Sequence, residues 1–171
     1  DEAFTALDKA AGLEHASAAR QRRILNALGV TDAASAESWI GCFGTRLVRE
    51  GPRWSAQAGF VPWPRGKHVI ERARPRLARA QVFDAVSGAL KIDPMRTNTN
   101  AAFSVIDSDV VMQLARAHIA RAAGVAFDAL EPMEVLHYTG GELYKPHIDF
   151  FHPSRSGYAD EMRLRGQRVK T

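Results

Sequence analysis

The sequence contains a single cysteine, Cys42, and no long apolar run. One cysteine excludes an internal disulfide framework and is typical of a reducing compartment, so we expect a cytoplasmic location. No segment approaches the run of about 18 apolar residues that a membrane span requires. The first residues, Asp1 to Phe4, lack the basic start and the apolar stretch of a signal peptide. Neither a disulfide scaffold nor a transmembrane protein is therefore expected.

The composition is that of an ordinary globular protein. Hydrophobic residues make up 46% of the 171 residues and charged residues 25%. The formal net charge is +4, and much of the excess comes from arginines between Arg65 and Arg79. Such a segment is usually a solvated helix face, although it could attract an acidic partner. It lacks the aromatic stacking pattern and the recognition motifs of nucleic-acid binders, so that function is not favoured.

Helical spacing dominates residues 1–50, which we interpret as a helical extension. Residues 14–28 form one predicted helix that ends at Gly29, and Ser35 is a candidate N-cap for a second. In the second helix, apolar residues recur at helical spacing as far as Leu47. Proline, glycine and tryptophan then interrupt residues 51–66, which we interpret as a linker.

Residues 67–171 mix helical and β patterns. A short helix is expected around residues 68–73, and two strands are expected at 81–83 and 89–92. The next helix is predicted to start at Asp107 or Ser108 and to end at Gly124, with Arg116 on its wetter side. After Pro132 we expect a strand over 133–138, a turn over 139–142, and a second extended stretch over 143–150. Residues 154–165 are polar and predict a loop or a short helix.

His147 and Asp149 are the residues that point most directly to chemistry. On a strand, residues two apart face the same way, so an imidazole and a carboxylate could occupy adjacent positions on one metal ion. A third ligand on that face would complete the two-histidine, one-carboxylate set of non-heme Fe(II) oxygenases. The alternative is a histidine at a strand end beside a surface aspartate. Pro146 removes one backbone donor and indicates an edge or a bulge, where sheets often redirect side chains into sites.

The surrounding residues resemble the prolyl 4-hydroxylase branch of the 2-oxoglutarate- and Fe(II)-dependent oxygenases. That family has a strand ending in tyrosine, a glycine-containing turn, and then a Tyr-x-x-His-x-Asp motif followed by aromatics. The matching residues here are Tyr138, Gly140, Gly141, Tyr144, His147, Asp149 and Phe150. Looser matches lie at 96–98 and at 166–169, so the resemblance covers roughly residues 67–171.

The resemblance implies an α+β fold, with helices followed by part of a double-stranded β-helix, or jelly-roll, core. It implies a dioxygenase that hydroxylates a C–H bond of a prolyl residue in a peptide or protein partner. Fe(II), 2-oxoglutarate and O2 would be required, and ascorbate is a further cofactor candidate. His147 and Asp149 would be the metal ligands, and Tyr138 would line the 2-oxoglutarate pocket. Tyr144 is a second candidate for that pocket, but on a regular strand it would face away from His147 and pack in the core.

One departure from the family pattern is important. The family's third ligand, a distal histidine, and its basic residue for 2-oxoglutarate lie well downstream of the His-x-Asp motif. Thr171 precedes both, so we expect the chain to be the N-terminal part of a longer domain. His152 is the one nearby substitute ligand, although a solvent-facing role suits it better. The competing hypothesis is a non-catalytic interaction module that keeps His-x-Asp without a complete iron site.

The remaining histidines suggest structural roles. His137 alternates with Tyr138 on its strand and is expected in the core or behind the site. Three others lie on predicted helices without a matching ligand one turn away: His15, His68 and His118.

Overall fold

The computed structural model describes residues 2–41, 46–50, 53–84, 86–154 and 156–168. The helices are α1 (Glu2–Gly12), α2 (Ala16–Ala27), α3 (Ala33–Ile40), α4 (Trp63–Ala73), α5 (Val110–Ala123) and α6 (Ser156–Arg165). The strands are β1 (Arg46–Glu50), β2 (Arg53–Gln57), β3 (Ala78–Arg79), β4 (Val82–Phe83), β5 (Leu90–Lys91), β6 (Thr99–Phe103) and β7 (Met133–His137). Short 3-10 helices lie at Arg74–Arg76 and Phe127–Ala129. Among the described helices, none is long and apolar enough to cross a lipid bilayer.

The chain divides into two compact units. The first comprises Asp1–Arg72 and Ala102–Met133, and the second comprises Ala73–Ala101 and Glu134–Thr171. The mixture of helices and antiparallel strands agrees with the α+β prediction. The described strands form sheets of two or three strands, so a jelly-roll core stays a prediction. The predicted division into extension, linker and oxygenase domain also stays a prediction.

The first unit is built around a core shared by α1, α2, α3 and α5. Each helix contributes apolar residues on the face that it buries, as an amphipathic helix does. The buried core residues are Leu7, Ala18, Leu25, Val30, Ala36, Val111 and Leu114. Asp32 caps α3 through a reciprocal capping box with Ser35. At the C-terminal end of α5, Gly124 adopts the left-handed conformation that ends the helix, as predicted.

Three elements of this unit differ from the sequence-based predictions. Arg46–Glu50 is a strand paired antiparallel with Arg53–Gln57, where helix and then linker were expected. Helix α4 begins at Trp63, inside the predicted linker, because a proline in the first helical turn removes no intrahelical hydrogen bond. The N-cap of α5 is Asp109, whose side chain accepts from the backbone N–H of Met112. Cys42, Phe43 and residues 169–171 lie outside the described residues.

Arg116 was expected on the solvent-facing side of α5, and that prediction is wrong. The side chain is buried, and its Nη2 atom donates to the carbonyl of Leu130 at 3.3 Å. Its Nη1 atom donates to Gln113 at 3.1 Å, and its guanidinium lies 4.8 Å from the ring centroid of Phe127. Because the segment after α5 supplies Phe127 and Leu130, helical periodicity alone could not reveal the burial.

The second unit contains strands β3, β4 and β5 and most of β6 and β7. Strand β6 lies between β3 and β7 in a three-stranded sheet. Strands β4 and β5 lie within the two strands predicted at 81–83 and 89–92, and they pair antiparallel. Strand β7 confirms the strand expected from residue 133, and α6 forms in the segment expected to be a loop or a short helix. In contrast, residues 143–150 do not form the expected strand; Tyr144 alone pairs, in an isolated bridge with Arg96.

Candidate metal centre

The segment before His147 is held by backbone pairing to residues 95–97. Thr97 N–H donates to the carbonyl of Leu143 at 2.8 Å, and Lys145 N–H donates to the carbonyl of Met95 at 2.9 Å. Pairing stops at Pro146, which has no N–H to contribute. The strand geometry from which the common orientation of His147 and Asp149 was predicted is therefore absent.

His147 and Asp149 nevertheless come together. The Nε2 atom of His147 lies 3.4 Å from Oδ1 of Asp149, and about a third or less of each side chain is exposed. The Nδ1 atom of His147 lies 2.8 Å from the carbonyl oxygen of Lys145. A carbonyl oxygen can only accept, so Nδ1 carries the proton and, in the neutral ring, Nε2 keeps its lone pair. The lone pair is thus on the nitrogen nearest the carboxylate.

This pair fits two adjacent positions on a metal ion. Two ligand atoms about 2.1 Å from one ion, at right angles, are separated by about 3 Å. The 3.4 Å separation of Nε2 and Oδ1 is close to that value. In metal sites, the ring nitrogen of a histidine that does not bind the metal commonly donates to a backbone carbonyl, and this hydrogen bond fixes the tautomer. Within the described ranges, however, no group of three His, Cys, Asp or Glu residues could hold an ion.

Tyr144 contacts His147 directly, which corrects the expectation that it would face away. The two rings stack with their centroids 3.6 Å apart and their planes 19° from parallel. The irregular backbone after Pro146 explains the difference, because the alternation of faces holds only within a regular strand. Burial raises the pKa of the Tyr144 hydroxyl, and the charge of Arg96 opposes that rise.

Arg96 supports Tyr144 from the neighbouring segment. Its guanidinium lies 4.9 Å from the centroid of the Tyr144 ring, within the range of a cation–π contact. Its Nε atom donates to Asn98 Oδ1 at 3.2 Å, and Nη1 donates to the carbonyl of Gln81 at 3.2 Å. The Nη2 atom also lies 3.6 Å from a carboxylate oxygen of Glu134. These contacts fix the guanidinium plane on which Tyr144 rests.

Arg168 approaches Asp149 from the other side of the motif. Its Nη1 atom lies 3.8 Å from Oδ1 of Asp149 and donates to the Asp149 carbonyl at 3.5 Å. The same guanidinium lies over the ring of Phe151, 4.6 Å from its centroid. Sequence reasoning placed Arg168 in a family-like segment but gave it no role. No local spacing signal connects it with Asp149, because the two residues are nineteen apart.

The remaining sequence-predicted site residues lie outside this cluster. Tyr138 follows β7 and is 43% exposed, and His152 bonds locally, with its Nδ1 2.7 Å from Ser154 Oγ. His137 is exposed rather than buried, and its Nδ1 lies 3.3 Å from Thr99 Oγ1. Among the described residues, the structure therefore brings together His147, Asp149 and Tyr144 but not His152.

Comparisons with known proteins agree with the residue pattern. Probable prolyl 4-hydroxylase 7 of Arabidopsis thaliana is 29% identical over 120 residues, which are 70% of this chain and 36% of that protein. Probable prolyl 4-hydroxylase 10 of the same plant is 27% identical over 152 residues, or 88% of this chain and 48% of that protein. Prolyl 4-hydroxylase 5 of Arabidopsis thaliana is 25% identical over 142 residues, which are 82% of this chain and 44% of that protein. The resemblance to the prolyl 4-hydroxylase family is confirmed.

The match to these prolyl 4-hydroxylases is partial in length. The chain spans about half or less of the curated relatives that it matches. No protein-family model matches the sequence. The similarity reaches well beyond the short His-x-Asp motif, because it covers 88% of this chain in the longest of the three alignments.

Proposed function

We propose that this chain carries the His-x-Asp part of an Fe(II)- and 2-oxoglutarate-dependent dioxygenase that hydroxylates a prolyl residue of a peptide or protein. The observation that carries the proposal is the 3.4 Å approach of His147 Nε2 to Asp149 Oδ1, with the histidine tautomer set by Lys145. The similarity to named prolyl 4-hydroxylases supports the choice of metal, cosubstrate and substrate. A cytoplasmic location and a need for ascorbate belong to the same proposal.

We propose the roles of the clustered residues from their contacts and the role of Tyr138 from the resemblance to the family. When bound, Fe(II) with 2-oxoglutarate and O2 would supply the oxidising chemistry for attack on a C–H bond. His147 would offer the Nε2 lone pair, and Asp149 would offer a carboxylate oxygen of opposite charge to the ion. Tyr144 would hold the imidazole plane by stacking, and Tyr138 would line the cosubstrate pocket with its hydroxyl. Arg168 would orient Asp149 and compete with the metal for its charge.

The first test is an anaerobic titration with Fe(II), in the presence of 2-oxoglutarate, of the natural protein that contains these residues. Chelation of the keto acid produces a visible charge-transfer band, which we expect in the parent and not in His147→Ala or Asp149→Ala. His152→Ala is the matched control, because this exposed histidine has its own local partner and should leave the band unchanged. A band that survives in His147→Ala would contradict the assignment.

The second test addresses the substrate. A proline-containing peptide should stimulate succinate formation from 2-oxoglutarate, whereas the same peptide with alanine in place of proline should not. If neither the 171-residue chain nor a longer natural chain containing it gives a charge-transfer band, the non-catalytic module becomes the better hypothesis.

A further inference from the structure

The backbone that carries Asp149 lacks the support of a strand. In the part of the chain that the structure describes, residues 147–151 form no backbone–backbone hydrogen bond. A metal ligand has to be held within about 0.5 Å of its productive position, and its own backbone is the first thing that has to be fixed. Side chains from elsewhere in the second unit must therefore hold this segment.

Gln167 supplies a pair of hydrogen bonds to Phe151. Its Oε1 atom accepts from the N–H of Phe151 at 2.9 Å, and its Nε2 atom donates to the carbonyl of Phe151 at 2.8 Å. One side-chain amide thus satisfies both backbone polar groups of this residue, as a neighbouring antiparallel strand would. The two partners also fix the orientation of the amide, because its oxygen can only accept and its nitrogen can only donate.

The ring of Phe151 is held as well as its backbone. It packs against Tyr158 of α6 with the ring centroids 5.0 Å apart, and the guanidinium of Arg168 lies 4.6 Å from its centroid. Tyr158 in turn stacks on Phe83 of β4 at a centroid distance of 5.3 Å. Phe151 is therefore an anchor in the second unit. A single residue separates this anchor from Asp149, so few rotatable backbone bonds lie between them.

We propose that Gln167 is a positioning residue for the metal pair and acts on Asp149 through the backbone of Phe151. The inference rests on the proposed function and adds to it a residue that bonds to neither ligand. While both hydrogen bonds are made, the segment that ends at Phe151 is fixed, and Oδ1 of Asp149 is kept 3.4 Å from Nε2 of His147. Arg168 acts differently, because it approaches the carboxylate itself. Loss of the Gln167 amide would free the backbone and leave the chemistry of both ligands unchanged.

The test is the anaerobic Fe(II) titration, with 2-oxoglutarate, of the natural protein that contains these residues. Gln167→Met keeps the length of the side chain without its amide, and we expect it to weaken Fe(II) binding about tenfold. The charge-transfer band should also change position, because the carboxylate would meet the ion in a different geometry. Gln167→Asn keeps an amide but is one methylene too short to reach both polar groups of Phe151. It should give the same result, and it replaces Gln167→Met if that variant does not fold.

Gln113→Met is the matched control. The side-chain amide of Gln113 on α5 also bridges two partners, since Nε2 donates to the carbonyl of Val105 at 3.1 Å and Oε1 accepts from Arg116 at 3.1 Å. Both methionine variants should therefore lower the thermal unfolding temperature of the metal-free protein. Only Gln167→Met should change the Fe(II) midpoint and the band. Equal weakening of Fe(II) binding in both would show that stability alone controls metal binding and would overturn the inference.

The remaining outcomes separate this inference from the proposed function. A parent protein without a charge-transfer band would overturn the proposed function and the positioning role with it. A parent with a band, together with Gln167 variants that keep its midpoint and its position, would overturn the positioning role alone. A weaker midpoint and a moved band in both Gln167 variants, with neither change in Gln113→Met, would support the role.

Discussion

The Nε2 atom of His147 lies 3.4 Å from Oδ1 of Asp149 although no strand holds the two residues in alternation. Three contacts orient the two side chains in place of a strand. The Nδ1 atom of His147 bonds to the carbonyl of Lys145, its ring stacks on Tyr144, and Arg168 approaches the carboxylate of Asp149. The pair is thus oriented by its immediate surroundings. Because Tyr144 and Arg168 can be replaced singly, the contribution of these two side chains to the orientation can be tested.

Tyr144→Ala should weaken Fe(II) binding roughly tenfold, the lower end of the effect seen when the support of a metal ligand is removed. Tyr144→Phe should remain within about twofold of the parent, because the stacked ring and its contact with Arg96 are retained. The measurement is the midpoint of the anaerobic Fe(II) titration followed by the charge-transfer band. If phenylalanine weakens binding as much as alanine does, the hydroxyl and not the stack is the important group.

The sequence predicted the features that depend on neighbouring residues. Gly124 ends α5, β4 and β5 form within the two predicted strands, and a strand begins at Met133, because turn chemistry and short-range alternation decide each of them. The motif of His147 and Asp149 was likewise visible in the sequence, although its role stays a prediction.

Features that depend on distant residues could not be predicted. Arg96 contacts Tyr144 across nearly fifty residues, and Arg168 contacts Asp149 from beyond α6. The burial of Arg116 requires Phe127 and the carbonyl of Leu130. Helical spacing contains information only about the residues of one helix, so Arg116 on α5 was predicted to face solvent.

Asp109 should contribute to stability through its charge and through its cap. Burial alone would raise its pKa, but the hydrogen bond and the charge of His68, the N–H of Met112 and Arg72 together hold the pKa below 3.8. Its contribution is therefore fully present above the unfolded pKa and is lost as the pH falls through the lower folded value. Asp109→Asn should cost about 1–3 kcal/mol in the free energy of unfolding at pH 7.

The pH dependence and a second variant separate the two contributions of Asp109. The stability difference between the parent and Asp109→Asn, measured by urea denaturation, should be present at pH 5 and shrink below about pH 4. Asp109→Ala should cost about 1 kcal/mol more, because asparagine still caps α5 and alanine does not. A difference that persists unchanged at acid pH would mean that the carboxylate charge is unimportant.

Gly124→Ala should lower the free energy of unfolding by about 1–2 kcal/mol. Gly124 has φ 63° and ψ 44°, the left-handed region in which a Cβ atom is unfavourable. The control is Gly12→Ala at the end of α1, where φ is not positive and an added Cβ meets nothing within 4 Å. That control should be neutral or slightly stabilising in thermal unfolding, since alanine is the better helix former. Equal losses in both variants would argue against a conformational cause.

The last prediction concerns Arg65, a buried cation in the first unit. Its Nη1 donates to Nδ1 of His118 at 3.1 Å, and its Nη2 donates to the carbonyl of Phe60. His118 in turn lies between the rings of Trp39 and Phe60, with centroid distances of 4.5 and 4.4 Å. Because Nδ1 accepts, His118 is neutral and carries its proton on Nε2. Burial lowers the pKa of Arg65, but the guanidinium stays charged.

Arg65→Met should therefore cost about 3 kcal/mol in urea denaturation, because it removes the buried donor to His118 and to the carbonyl of Phe60. Arg65→Met combined with His118→Phe removes the donor and the acceptor of one hydrogen bond together, so the double variant should lose less than the sum of the two single losses. Arg121→Met, on the exposed side of α5, should change stability by less than about 0.5 kcal/mol. Strict additivity of the Arg65 and His118 variants would mean that the two side chains do not depend on each other, and the hydrogen bond between them would then contribute nothing to the fold.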